Sequence, residues 1–156
     1  MQTPDYIYIE PTNPEIRGYR EIIKKQGNKT CNLSVDSISQ YASTFNFGYL
    51  VYLQRAQINR RSIKSLNDRF TLLSFILCTH ISTAPDQVFI ELICSANKTG
   101  KFLIELIEEK IRSMGIKRIY LYALDKDRLI NWYKSMGYVF VNKNYDTKLS
   151  LMMKYL

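Results

Sequence analysis

The chain has 156 residues, of which 46% are hydrophobic and 23% charged, a balance typical of one globular domain with a sizeable core. The N-terminal segment lacks a basic region followed by an apolar one, and the longest apolar run is far shorter than the roughly 18 residues of a membrane span. We therefore expect a cytoplasmic protein without a membrane segment. A single histidine and three scattered cysteines, Cys31, Cys78 and Cys94, exclude a His-rich or zinc site, and we expect the cysteines to be free thiols.

The net charge of +8 favours an anionic partner, such as a phosphate group, an acidic protein or a nucleic acid. Half of this excess lies in one segment, residues 55–69, which holds five basic residues and one acidic residue. Either a solvated hairpin tip or a contact with an acidic partner explains such a segment.

Alternating and helical hydrophobic patterns predict an α/β chain. Pro14 and Gly27 mark the start and end of the first predicted helix, Ser34 caps the second, and Gly115 and Gly137 end the third and fourth. In chain order, the predicted elements are a strand at 6–10, helices at 15–26 and 35–42, strands at 48–54, 69–81 and 88–95, a helix at 100–114, a strand at 118–123, a helix at 127–136, and strands at 138–142 and 148–155.

A short polar loop, SANKTG, joins the strand VFIELIC to the third predicted helix. It is not a Walker phosphate loop, because Ser95 stands where the first glycine belongs and Phe102 where the magnesium-binding hydroxyl belongs. The dinucleotide pattern G-x-G-x-x-G is absent as well, since Gly100 is the loop's single glycine.

The start of this helix nevertheless offers free backbone N–H groups and the positive end of a helix dipole. Gly100 permits close approach of an anion, Lys98 and Lys101 add positive charge, and Thr99 is placed to cap the helix or to donate its hydroxyl. Two interpretations remain open: a diphosphate cradle without a metal, or an ordinary capped helix with two solvated lysines.

Three segments together resemble the GNAT superfamily of acyl-CoA-dependent N-acyltransferases: the strand VFIELIC, the loop and helix after it, and LINWYKSMGYVFV at 129–141. The last contains Tyr133 followed by Gly137-Tyr138, similar to the family's Y-x-x-x-G-[FY] signature. The resemblance covers residues 88–141. It implies a three-layer α/β fold, with a mixed, mostly antiparallel sheet of about seven strands flanked by about four helices, in a single domain spanning 1–156.

The loop departs from the family's [QR]-x-x-G-x-[GA] pattern. Lys98 replaces the first glycine, Ser95 replaces the Gln or Arg, and Lys126 stands where the family often has asparagine. The resemblance implies acetyl-CoA as cosubstrate, with no metal. The residues that it implies for binding acetyl-CoA are Leu92, Ile93, Cys94, Lys98, Thr99, Gly100, Lys101, Lys126 and Tyr133.

Glu91 is the candidate general base. Alternation along a strand predicts that it shares a face with Phe89 and Ile93, where a carboxylate is suited to take a proton from an ammonium, directly or through water. Solvation or pairing with a lysine would explain Glu91 equally well. His80 is the alternative base.

Tyr133 is the candidate general acid. It falls at helical spacing with Leu129, Ile130 and Met136, so its ring should face inward. From the pattern alone it is a core tyrosine with a partnered hydroxyl. The resemblance implies instead that the hydroxyl donates to the departing CoA sulfur.

The leading hypothesis is an N-acetyltransferase that moves the acetyl group of acetyl-CoA to a primary amine by direct attack in a ternary complex. Two alternatives remain: a GNAT-like binding module with weak or no activity, and a basic nucleic-acid-binding protein. The latter is disfavoured because no RNA-binding motif occurs and aromatics are not interleaved in residues 55–69. The identity of the amine and the choice between monomer and homodimer stay open.

Overall fold

Seven strands and four helices make up the described part of the chain, residues 4–31, 33–54, 70–95, 99–124 and 126–156 of a computed structural model. The basic segment 55–69 and Lys98 lie outside the described residues. The elements are β1 (Asp5–Ile9), α1 (Ile16–Cys31), α2 (Val35–Thr44), β2 (Phe47–Gln54), β3 (Phe70–Thr79), β4 (Gln87–Ser95), α3 (Gly100–Ser113), β5 (Arg118–Leu124), α4 (Asp127–Ser135), β6 (Val139–Asn144) and β7 (Leu149–Tyr155).

The strands form one sheet in the order β1-β2-β3-β4-β5-β7-β6. Only β4 and β5 pair in parallel, and every other neighbouring pair is antiparallel. The predicted mixed, mostly antiparallel sheet with four helices is therefore confirmed.

Helices cover both faces of the sheet, and each face buries its own apolar cluster. On one face, α1 and α2 pack against β3 and β4, with Ile22, Ile38 and Phe75 at the centre. On the other, α3 and α4 pack over a larger cluster that includes Ile76, Ile107 and Tyr133. The sheet is thus the middle of three layers. A ligand bound between its strands would face both helical layers.

A buried ion pair holds α3 to the far side of the sheet. The Lys154 Nζ on β7 donates to both carboxylate oxygens of Glu108 on α3, at 2.8 and 2.9 Å. Both side chains are largely shielded from solvent, so removing either partner would leave an uncompensated charge. The pair fixes the position of α3, whose first turn borders the candidate site.

The first helix is longer than its pattern predicts. It continues through Gly27 to Cys31 rather than ending at the glycine. Gly27 is buried, and a Cβ placed there would come within 3.0 Å of Ile38 and 3.4 Å of Phe75. This glycine therefore allows α2 and β3 to approach α1 closely. The prediction that it stops the helix was wrong. The predicted cap of α2 is confirmed, since the Ser37 N–H donates to Ser34 Oγ at 3.2 Å.

Two of the three cysteines are paired, contrary to the expectation of free thiols. Cys31 at the end of α1 and Cys94 near the end of β4 form a disulfide, with Cα atoms 5.0 Å apart. The sequence separation of 63 residues hid their proximity. Cys78 is a buried free thiol.

No helix among the described residues is both long and apolar enough to cross a bilayer. The same residues contain no cluster of three or more His, Cys, Asp or Glu side chains that could hold a metal ion.

Candidate functional site

A β-bulge interrupts the strand that carries Glu91. Along the β3–β4 pair, Leu77 lies opposite Leu92 and Cys78 opposite Ile90, so Glu91 is the extra residue. A bulge turns the following side chains to the other face. Ile93 accordingly packs with the α3/α4 cluster, and Phe89 stacks on Tyr120 and Tyr122 on the opposite side of the sheet. The prediction that Phe89, Glu91 and Ile93 share one face was therefore wrong.

The two parallel strands separate immediately beyond this bulge. Pairing of β4 with β5 runs from Gln87 opposite Arg118 to Ile90 opposite Leu121 and then ends. Both strands continue, β4 to Ser95 and β5 to Leu124. The edge of β4 from Glu91 onward therefore has no β5 partner, which exposes backbone groups that a ligand can pair with.

A pocket of about 1010 Å³ occupies the space between the separated strands, the start of α3 and α4. Its apolar wall includes Ile93, Leu124 and Trp132, while Lys101, Lys126 and Arg128 contribute positive charge. Tyr133 and Gly100 also line it. The pocket thus combines an apolar channel with cationic side chains, the combination that a long apolar arm bearing phosphates requires.

Among the residues that the structure describes, the N-cap position of α3 provides no side-chain cap. Thr99 makes no side-chain cap bond, and the first turn contains no acidic residue. The Thr99 hydroxyl instead donates to Ser74 Oγ at 2.8 Å, and Ser95 Oγ lies 3.4 Å from it. A 14-residue helix whose N-cap side chain makes no cap bond presents the positive end of its dipole to an anion.

Gly100 packs against a ring of α4. A Cβ at this position would lie 3.1 Å from the Trp132 ring and 3.4 Å from Ser95. The missing side chain therefore makes room for the indole of α4.

Tyr133 is nearly buried, with 5% of its surface exposed, and it lines the pocket. Its ring packs edge-on against Trp132 at 4.9 Å and Tyr138 at 5.9 Å. Burial raises its pKa to about 12, so its hydroxyl stays protonated at neutral pH. The side chain is a ready hydrogen-bond donor facing the pocket.

Glu91 is half-buried at the bulge. Burial raises the pKa of the Cys78 thiol, and the charge of Glu91 contributes to that rise. The Glu91 carboxylate therefore lies near Cys78, across the bulge on β3. His80, the alternative base, lies beyond the opposite end of β4, where its Nε2 is 3.0 Å from the Pro85 carbonyl oxygen. Neither His80 nor Glu91 is among the residues that line the pocket.

The remaining predicted residues separate into two groups. Lys101 and Lys126 line the pocket, as Ile93 does. The side chains of Leu92 and Cys94 instead pack toward α1 and α2, so only their backbone groups face the gap between the strands.

Sequence reasoning missed Trp132, Arg128 and Asn131, which line the pocket from α4. The sequence does predict that these residues lie together, because positions 128, 131, 132 and 135 fall on one side of a helix. The sequence did not show whether this side of α4 faces solvent or a pocket, because a mixture of apolar and cationic residues is compatible with both.

No family model matches this chain, and no curated protein sequence matches it. Solved structures do. PaiA N-acetyltransferase from Thermoplasma acidophilum, in complex with coenzyme A, superposes with a TM-score of 0.61 at 12% identity over 99% of each chain. A GNAT family acetyltransferase from Elizabethkingia anophelis with acetyl-CoA bound gives 0.63 at 13% identity over 98% of each chain. An aminoglycoside 6′-acetyltransferase type Ii gives 0.58 at 15% identity over 97% of this chain and 96% of its own.

The chain therefore has the GNAT fold over almost its whole length. The bulge, the separated parallel strands and the start of α3 lie within this fold.

Proposed function

We propose that the protein is an N-acetyltransferase that transfers the acetyl group of acetyl-CoA to an amine in a ternary complex. The observation that carries this proposal is the end of β4–β5 pairing at Ile90 and Leu121, beside a pocket bordered by the start of α3. The likeness to N-acetyltransferases with bound CoA or acetyl-CoA supports the proposal.

The residues present fit acetyl-CoA. The unpaired edge of β4 offers backbone groups to the amides of the pantetheine arm, and Ile93, Leu124 and Trp132 offer it apolar contact. The start of α3 suits the diphosphate, with Lys101 and Lys126 nearby. Lys101 is 70% exposed and 4.0 Å from Glu105, an exposed pair that competes weakly with a phosphate.

In the proposed reaction, the neutral amine nitrogen attacks the thioester carbonyl carbon, a C–N bond forms, and the C–S bond breaks. The ammonium form of the amine first gives a proton to Glu91, directly or through water. Backbone N–H groups of the free β4 edge near Leu92 and Ile93 stabilise the carbonyl oxygen as negative charge develops on it. As the tetrahedral intermediate collapses, the nitrogen gives up its second proton and the sulfur leaves with its electron pair toward Tyr133. One proton ends on the sulfur, so the products are the amide and free CoA.

The Tyr133 hydroxyl assists the departing sulfur chiefly as a hydrogen-bond donor. With its pKa at about 12, the phenol is a weaker acid than an ordinary thiol, whose pKa is about 8.5. Full transfer of the proton becomes favourable only as burial in the same pocket raises the thiol pKa. Holding both substrates in place contributes further, and the two effects together account for several kcal/mol of barrier lowering.

A binding module of the same fold is the second candidate. The loop lacks the family's first glycine, and Trp132 fills the space beside Gly100 that an open cradle would leave free. If these features exclude the diphosphate, the fold would serve binding alone.

The proposal is tested by thermal melting with acetyl-CoA, CoA and dephospho-CoA, followed by thiol release with a panel of amines. We expect acetyl-CoA and CoA to raise the melting temperature, and Tyr133→Phe to keep this shift while turnover falls about 100-fold. Removing one hydroxyl leaves the apolar contacts of the ring, so binding should survive.

Tyr138→Phe is the matched control. Tyr138 is 1% exposed, and its hydroxyl has no hydrogen-bond partner among the described residues. Its removal should leave turnover unchanged. Full turnover by Tyr133→Phe would remove the donor role, and the absence of any shift with acetyl-CoA would favour the binding module.

A further inference from the structure

Among the described residues, no helix packs over half of one face of the sheet. On this face, α1 and α2 pack against β3 and β4, whereas α4 packs on β5 and β6 from the opposite side. Phe89 stacks on Tyr120 and Tyr122, with ring centroids 5.6 Å apart in both pairs. Alternation places Leu124 on the same side, and because Leu124 also borders the pocket, the open face and the pocket meet at this residue. Tyr122 and Leu124 are 53% and 52% exposed. We call this surface the open face.

Strand β7 extends the open face sideways. Leu149, Leu151 and Met153 lie opposite Leu124, Tyr122 and Tyr120. Paired residues of antiparallel strands project to the same side, so these apolar side chains continue the surface. Met152, between them, is buried in the α3/α4 cluster, as the alternation requires.

The open face begins at the separated strands and fits an extended chain. From Tyr120 to Leu124 the strand rises about 13 Å, and three neighbouring strands span about 10 Å. A single aromatic ring would cover less than half of that length. Three or four residues of extended polypeptide have the same length of about 13 Å.

Charge on these strands favours a single ammonium. Strands β4, β5, β6 and β7, all within the described residues, carry one carboxylate, that of Glu91 at the bulge. An acceptor with several ammonium groups would require several carboxylates here. An α-amine followed by apolar residues matches both the single charge and the surface.

We infer that the acceptor is the N-terminal α-amine of a polypeptide whose first residues are apolar, with the amine at Glu91 and the following side chains on the open face. This inference rests on the proposed acetyl transfer. A peptide α-amine has a pKa of about 8, well below that of a lysine side chain, so a larger neutral fraction is ready to attack at neutral pH.

The test measures thiol release from acetyl-CoA with four probes: a hexapeptide beginning Met-Leu-Phe, the same peptide beginning Met-Asp-Glu, spermidine and tyramine. We expect kcat/KM to be at least about tenfold higher for the apolar peptide than for each other probe, with mass spectrometry placing the acetyl group on its α-nitrogen.

The variant Tyr122→Ser should raise KM for the apolar peptide about tenfold while leaving kcat and the acetyl-CoA melting shift unchanged. Tyr6→Ser is the control, because Tyr6 is similarly exposed but lies on β1 at the other edge of the sheet. It should leave KM unchanged.

Turnover with spermidine or tyramine but not with the apolar peptide would overturn this inference and leave the acetyltransferase proposal intact. An unchanged KM in Tyr122→Ser would overturn the docking of the peptide on the open face. No stabilisation by acetyl-CoA and no thiol release with any probe would overturn the proposed function itself, and this inference with it.

Discussion

Tyr133 shows how burial sets the chemistry of one residue. Its ring lies between Trp132 and Tyr138, and almost none of its surface meets solvent. The charged phenolate would be poorly solvated there, which is why its pKa rises to about 12. The same burial that keeps the proton available for a leaving group therefore makes the fold sensitive to alkali.

This sensitivity predicts how stability changes with pH. An unfolded tyrosine loses its proton near pH 10, and folded Tyr133 near pH 12. The contribution of its raised pKa to stability is therefore complete below pH 10 and is lost as the pH rises to 12. The difference of two pH units corresponds to about 3 kcal/mol in the free energy of unfolding.

Chemical denaturation at intervals between pH 8 and 11.5 checks this expectation. The parent protein should lose stability more steeply above pH 10 than Tyr133→Phe, which lacks the ionisable group. Burial raises the pKa of Tyr138 as well, so its ionisation lowers the stability of both proteins alike. The difference between the two stability curves therefore isolates the contribution of Tyr133. Parallel curves for the two proteins would contradict the burial of the Tyr133 hydroxyl.

Helices and strands with a regular hydrophobic period could be predicted from the sequence, whereas irregularities within or between them could not. The apolar spacing of α3 and α4 and the glycines after them, with φ of 76° at Gly115 and 95° at Gly137, made both helices and their ends readable. Gly27 looked the same in sequence but serves packing, because its neighbours Ile38 and Phe75 come from other elements.

The site itself depends on such interruptions. The bulge at Glu91 shifts the register between β3 and β4 by one residue. No local pattern in VFIELIC indicates this shift. The separation of β4 from β5 likewise depends on long-range pairing. The sequence therefore predicted Tyr133, Lys101 and Gly100 as site residues, but could not predict the face on which each β4 side chain lies.

The disulfide between Cys31 and Cys94 ties α1 to the free end of β4. In a chain-entropy estimate, closing a loop of 63 residues stabilises the fold by about 4 kcal/mol. Reductant should therefore lower the free energy of unfolding of the parent protein, and Cys31→Ser should abolish the difference between oxidising and reducing conditions.

Cys78→Ser is the control for this prediction, since it removes the buried free thiol and should keep the redox difference. Thiol titration of the unfolded, unreduced protein should find one reactive group. Three reactive thiols, together with equal stability in both conditions, would show that the pair does not form.

At the scale of the whole molecule, the three-layer arrangement creates two different approaches to one gap in the sheet. The α3/α4 side provides the pocket with its cationic side chains, and the opposite side provides the open face. Two substrates can thus meet at the separated strands without crossing each other's path. This geometry suits a direct transfer between them.

Hydrogen–deuterium exchange with and without acetyl-CoA tests this account most directly. If acetyl-CoA binds at the separated strands, backbone amides at 92–95 on β4 and 99–102 at the start of α3 should exchange more slowly, with β1 and β2 unchanged. Exchange that acetyl-CoA leaves unaltered at both segments, at ligand concentrations up to the millimolar range, would contradict it.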